Sequence, residues 1–174
     1  MRLPFALLLL LSFTALSQEA GQENYVLNTG DVVKIRVFGE PDLSPEARIG
    51  ERGTIPFPFL GELRVAGLTT EDLASTITDG LKGPYLINPR VSVTIEEYRS
   101  FFLNGEVNSP GSYQWEPGMT IRKAVALAGG LSDYASTRKI FLRKEDQPAE
   151  DRSRVSIDHP VGPGDIITIE QSFF

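Results

Sequence analysis

The run Asn104-Gly105-Glu106-Val107-Asn108-Ser109-Pro110-Gly111-Ser112-Tyr113 leads shortly into Thr120-Ile121 and then Ala128-Gly129-Gly130. Pro110-Gly111 is a turn dipeptide between strand-forming stretches, so Phe101 to Val107 and Ser112 to Trp115 are expected to pair as a hairpin. The hydroxyl of Thr120 can cap a helix that carries Ile121, Ala124, Val125 and Ala128 on one face. Gly129 can take the left-handed conformation that closes it. A chain built this way folds as sheet plus helix, an α+β class. Nothing in the run is suited to making or breaking bonds.

The preceding residues follow the same plan. Gly30-Asp31 makes a turn, after which Val33, Ile35 and Val37 alternate with Val32, Lys34 and Arg36, as in a strand with one buried face. Phe38 to Ile49, punctuated by Gly39, Pro41 and Pro45, reads as an irregular loop. Thr54 to Phe59 and Glu62 to Val65 read as two strands joined at Leu60-Gly61, with Pro56 and Pro58 placing the first at an edge or bulge. A helix start at Gly67-Leu68-Thr69-Thr70-Glu71-Asp72 is followed by Leu73, Ile77 and Leu81 at four-residue spacing, and Gly83-Pro84 stops it. Beyond Asn88-Pro89, Val91, Val93 and Ile95 form another half-buried strand. Lys139 to Arg143 and Ile166 to Glu170 are strands separated by a charged loop from Lys144 to Arg154. Gly30-Asp31-Val32-Val33-Lys34-Ile35 is echoed by Gly164-Asp165-Ile166-Ile167-Thr168-Ile169, and Gly67-Leu68-Thr69 by Gly118-Met119-Thr120. These echoes suggest two related modules, although glycine-aspartate is also a general turn signal.

The chain opens with Met1-Arg2, an apolar run from Leu3 to Leu16, and Ala15-Leu16-Ser17 before Gln18. That is the layout of a cleaved secretory leader over residues 1–17, too short to span a bilayer. Residues 18–24 are a polar lead-in. The sequence has no cysteine, so it offers no disulfide framework and no acylation point for a lipoprotein. The formal net charge is -6, and no stripe of basic and aromatic residues offsets it. Such a surface repels phosphate backbones, which argues against a nucleic-acid role.

Candidate chemistry is sparse. The one histidine, His159, sits beside Pro160 with only its neighbour Asp158 as a nearby carboxylate, a poor basis for a catalytic base. Without cysteine and with one histidine, a zinc site would need mostly carboxylates. Glu96-Glu97 are adjacent in a strand and point to opposite faces, and Glu150-Asp151 lie in a charged loop, so neither makes a glycosidase pair. Gly129-Gly130 follows a helix instead of leading into one, so it is no phosphate cradle. The expectation is no catalytic, metal or cofactor-binding residue and no cofactor.

Taken in order, several segments resemble the N-terminal domain of bacterial polysaccharide export proteins. They are Tyr25 to Asp31 leading to Val37, Asp42-Leu43-Ser44, Gly53-Thr54-Ile55, Pro58 with Gly61, Gly67-Leu68-Thr69 and Pro89-Arg90-Val91-Ser92-Val93. Gly105-Glu106-Val107, Pro110-Gly111, Tyr113 and Ala128-Gly129-Gly130 resemble the soluble-ligand-binding β-grasp (SLBB) domain that follows it. The resemblance implies an export α/β domain over residues 25–97 and an SLBB domain over 98–174. Its structural motif positions here are Gly30, Asp31, Pro58, Gly61, Gly67, Thr69, Pro89, Gly105, Pro110, Gly111, Gly129 and Gly130. Arg52 stands where the family often has an acidic residue. Larger relatives carry further β-grasp repeats and a C-terminal pore-lining helix, so the chain resembles the family's short form.

The resemblance also implies a function: a ring in the periplasm, peripheral to the outer membrane. It would guide capsule or exopolysaccharide between an inner-membrane polysaccharide co-polymerase and an outer-membrane β-barrel porin. Small β-rich modules with exposed edge strands suit cyclic self-assembly. Arg90, Glu96, Tyr98 and Arg99 are candidates for interface or lumen contacts. A second reading is a periplasmic carbohydrate-binding or regulatory module, with Tyr113 and Trp115, and also Tyr98 and Tyr134, as sugar-stacking candidates. A secreted hydrolase ranks last. The closing Ser172-Phe173-Phe174 is expected to be a docking tail, because a lipid-facing barrel needs more strands than this chain supplies.

Overall fold

The computed structural model describes residues 25–172; the expected leader and lead-in and the expected docking tail Phe173-Phe174 lie outside them. Two hydrophobic cores form in succession along the chain. In the first unit, β1 (Val32–Val37) lies between β2 (Glu46–Arg48) and β5 (Val91–Glu97), antiparallel to both. A separate hairpin joins β3 (Thr54–Phe57) and β4 (Gly61–Arg64). Each of its strands keeps a free edge, which is how Pro56 is tolerated. Helix α1 (Thr70–Leu81) packs on β5.

Helix α1 starts where Thr69 Oγ1 accepts the Asp72 amide while the Asp72 carboxylate accepts the Thr69 amide and hydroxyl. This reciprocal box satisfies amides that the first turn leaves without partners. The Thr69 hydrogen bonds hold the Asp72 carboxyl below its ordinary range. One stripe of α1, Leu73, Ile77 and Leu81, is fully buried and meets Val33, Ile35, Ile55 and Leu27 in the first core. Each such side chain contributes about 1.5–3 kcal/mol by leaving water.

The second unit is a five-stranded sheet in the order β7 (Gly111–Tyr113), β6 (Phe101–Gly105), β10 (Asp165–Gln171), β8 (Ala135–Lys144), β9 (Ser153–Val155). Strand β10 runs parallel to β6 and antiparallel to β8. Helix α2 (Ile121–Leu127) buries Ile121, Ala124 and Val125 against Phe101, Leu103, Ile140, Ile167 and Ile169. Thr120 caps it and Gly129 follows with φ +78°. At the end of β6, Gly105 has φ +86°, and a Cβ there would stand 2.0 Å from the Ile169 carbonyl oxygen. Only glycine lets β10 approach this closely.

Three expectations are corrected. Phe38 to Ile49 is not irregular throughout. It contains a 3-10 turn (Pro41–Leu43) and β2, because Ser44 Oγ bonds the Val37 amide and the Glu40 carbonyl and folds the chain back onto β1. Val32 does not face outward. The register slips between Val32↔Glu97 and Val33↔Ile95, and this bulge leaves both valines buried. The charged loop from Lys144 to Arg154 gives up its last residues to β9, which pairs with a β8 that begins at Ala135, not Lys139.

Candidate functional site at the junction of the two units

The two Gly-Asp turns echoed in the sequence end up on either side of one arginine. In the first, Gly30 turns the chain at φ +94° and Asp31 is fully buried. Its carboxylate accepts the Asn28 amide at 2.8 Å and the Tyr25 hydroxyl at 2.9 Å. From the start of the second unit it accepts the Arg99 amide at 2.7 Å and Arg99 Nη1 at 3.3 Å. Arg99 Nη1 also donates to the Tyr25 hydroxyl at 2.8 Å. A buried carboxylate is tolerated only when paired and hydrogen-bonded, and Asp31 meets both conditions through groups from two units. Burial and the Asp31 charge push the Tyr25 phenol well above its usual range.

In the second turn, Gly164 has φ +76° and Asp165 is buried. Asp165 accepts the Gly162 amide at 2.7 Å, the same three-residue back-bond that Asp31 makes to Asn28, and pairs with Lys144 Nζ at 2.6 Å. A Cβ on Gly164 would meet Arg99 Nε at 2.8 Å, and one on Gly30 would meet Arg99 Cβ at 3.2 Å. The Gly164 amide donates to the Ser100 carbonyl at 3.1 Å. Arg99 is thus wedged between the two corners. Glycine at both corners leaves room for its side chain, most tightly at Gly164.

An aromatic relay runs beside this network. Tyr98 meets Tyr25 edge-on at 5.0 Å and Trp115 at 4.8 Å, and the Trp115 indole N–H donates to the Val161 carbonyl. Edge-to-face pairs of this kind contribute about 0.5–1.5 kcal/mol beyond their buried area. The cleft above the junction divides into cavities of about 410 and 430 Å³, which share Asn28, Arg99 and Glu145 as lining. Asn28, Arg99, Lys144 and Glu145 bring charge and hydrogen-bonding groups to it beside an equal share of apolar surface.

The structure separates the residues singled out in the sequence. Tyr98 and Arg99 are at the junction, and Glu96 lies on the same strand end, 3.8 Å from Lys34 Nζ. Arg90 is at the opposite end of β5, its guanidinium 5.6 Å above the Phe38 ring. Tyr113 stacks on Phe101 and its hydroxyl donates to the Ser109 carbonyl, so both Tyr113 and Trp115 are half-buried with their polar atoms engaged. Tyr134 is exposed. Asp158 is held by Arg122 at 2.7 and 3.1 Å, and these bonds keep its carboxyl low. The remaining motif glycines and prolines occupy turns: Pro58 and Gly61 at the β3–β4 hairpin, Gly67 and Thr69 before α1, Pro89 before β5, Pro110 before Gly111 of β7, and Gly129-Gly130 after α2.

Sequence reasoning misses Tyr25, Lys144 and Gly164 as site residues. The repeated Gly-Asp pair is a signal for Gly164 alone. What it lacked was any sign that Arg99 bridges the two copies, since their separation in sequence exceeds any local pattern.

Comparison with known proteins gives the same order of units. A family model described as polysaccharide biosynthesis/export protein matches residues 19–96, and an SLBB domain model matches residues 100–158. The chain belongs to the polysaccharide export family. Within that family it is 39% identical over 93 residues to the exopolysaccharide production protein ExoF of Rhizobium meliloti (strain 1021), covering 51% of this chain and 22% of that protein. It is 26% identical over 110 residues to the polysialic acid transport protein KpsD of Escherichia coli, covering 62% and 20%. To the EPS I polysaccharide export outer membrane protein EpsA of Ralstonia solanacearum it is 28% identical over 134 residues, covering 62% and 35%. The chain therefore spans between a fifth and about a third of the length of these relatives. Among the described residues no helix is long and apolar enough to cross a membrane.

Proposed function

We propose that this member of the polysaccharide export family is a periplasmic, ring-forming conduit component. It hands capsule or exopolysaccharide from an inner-membrane co-polymerase toward an outer-membrane β-barrel porin, and it catalyses no reaction. The observation that carries the reading is the ordered pair of family units, joined through Arg99. Copies can close into a regular ring only if the two units of each keep one relative orientation, and the buried tether between them favours that. Free edges on β2 and β5 of the first sheet and on β7 and β9 of the second offer lateral pairing surfaces. The name of EpsA favours an outer-membrane location for the machinery.

The half-buried packing of Tyr113 and Trp115 favours a conduit over a tight sugar-binding module, because a moving polymer must not be held. Native mass spectrometry and electron microscopy of the exported protein, alone and with a co-polymerase and porin encoded beside it, test the assembly. Closed rings of one subunit number are expected. A strict monomer under all these conditions overturns the ring. Normal surface polysaccharide in a deletion strain overturns the export role.

A further inference from the structure

Strand β1 runs away from the junction and β5 runs back to it, with Val37 opposite Val91 at the far end. That far end collects apolar surface. Of the seven exposed large hydrophobic residues among the described ones, Phe38, Tyr85 and Ile87 follow β1 or precede β5, and Phe59 stacks on Tyr85 with ring centroids 4.9 Å apart. Ile87 is 86% and Phe59 65% exposed. Phe59 is also the one non-glycine residue with positive φ among those described, at +66°. A strained, water-exposed phenylalanine adds little to stability, and such strain clusters at functional positions. The segments Ile55 to Gly61, across the β3–β4 turn, and Gly83 to Pro89 contain no carboxylate or cation; Glu62 follows the first, and Lys82 and Arg90 bracket the second.

We propose that this tip is a membrane-docking surface: Phe59, Tyr85 and Ile87 enter the interfacial region of a bilayer while Lys82 and Arg90 meet its phosphate headgroups. Phe59, Tyr85 and Ile87 are all exposed on neighbouring loops, so one surface can reach all three side chains. Aromatic rings and an isoleucine flanked by cations match the chemistry of the bilayer interface, where aromatics settle at headgroup depth and long cations reach back to phosphate. The bracketing charges carry the choice of a lipid partner, because the chain as a whole is acidic, with formal charge -6. The proposal does not depend on the polymer-conduit reading, and its test involves no polysaccharide.

The absence of native cysteine allows single labels. An environment-sensitive fluorophore at Ile87→Cys should shift to the blue on vesicles of phosphatidylethanolamine with phosphatidylglycerol, while the same label at Leu127→Cys, exposed on α2, should not. Phe59→Gly relieves the backbone strain and loses the ring stacking, effects of similar size, so folding is kept. In Phe59→Gly or Tyr85→Ser chains carrying the Ile87 label, the lipid concentration for half-maximal shift should rise roughly tenfold. Lys82→Glu with Arg90→Glu should raise it by a similar factor on anionic vesicles only. No shift at 87, an equal shift at 127, or an unchanged lipid requirement in the Phe59→Gly chain overturns the proposal. A shift at 87 that tracks protein concentration without lipid assigns the tip to a second copy and overturns it as well.

Discussion

The Asp31 and Asp165 corners share a glycine with positive φ, a buried carboxylate and a bond back to the amide three residues earlier. They differ in their cations. Asp31 is sealed by Arg99, whose side chain is 21% exposed and which also donates its backbone amide, while Asp165 is met by Lys144, whose side chain is 53% exposed. An arginine held on both sides is a fixed fork, and a half-exposed lysine is a screened point charge. The same local turn thus serves as an inter-unit tether at one site and as a strand-starting corner at the other.

The largest expected effect removes the tether. Asp31→Ala leaves Arg99, the Tyr25 hydroxyl and two amides without their acceptor, and is expected to cost about 3–5 kcal/mol in urea unfolding. Asp165→Ala, where solvent reaches the lysine, should cost about 1–3 kcal/mol. Equal losses would remove the distinction between the corners.

Next come the glycines that flank Arg99. Both substitutions strain a positive φ; Gly164→Ala places its Cβ 2.8 Å from Arg99 Nε and Gly30→Ala 3.2 Å from Arg99 Cβ. Both are destabilising by about 1–3 kcal/mol, Gly164→Ala the more so. Crystal structures of the two variants should show Arg99 displaced in the first.

Tyr25→Phe removes one neutral partner of a charged pair and should cost about 1.5–3 kcal/mol near neutral pH. The sign of its pH dependence follows from the raised phenol. The folded state holds the proton more tightly than the unfolded one, so this contribution is complete below the ordinary tyrosine range near pH ~10 and is lost as pH rises beyond it. Wild type should lose stability more steeply than Tyr25→Phe in alkaline unfolding. Parallel curves would show that the phenol is not coupled to folding.

The smallest effects distinguish the units in acid. Asp72 in the first unit is lowered by Thr69, and Glu106 in the second by Ser132 and Gln171. A lowered carboxyl contributes stability above its unfolded pKa and loses it as pH falls through the folded one, so both units weaken from about pH 5 downward. Glu106→Gln should flatten that slope for amides of the second sheet alone in hydrogen exchange. His159→Ala should fall within about 0.5 kcal/mol of wild type.

Much of the fold was legible because local chemistry writes it. Thr69 and Asp72 declare the start of α1, Leu73, Ile77 and Leu81 its buried face, and Pro110-Gly111 the hairpin. The bulge at Val32 and the short β2 were not legible, since three-residue pairings depend on a partner distant in sequence. Nor was the exposed character of Phe59, because phenylalanine in an apolar run reads as core.

The order of the two units, the turns, the helix caps and the residues able to fill each core are properties of the sequence, set by periodicity and by backbone preferences that act within a few residues. Tertiary structure alone decided that Arg99 joins the two Gly-Asp corners and that the far end of the first unit exposes Phe59, Tyr85 and Ile87. Both depend on contacts between residues tens of positions apart, where burial and pairing, not local propensity, determine which groups meet.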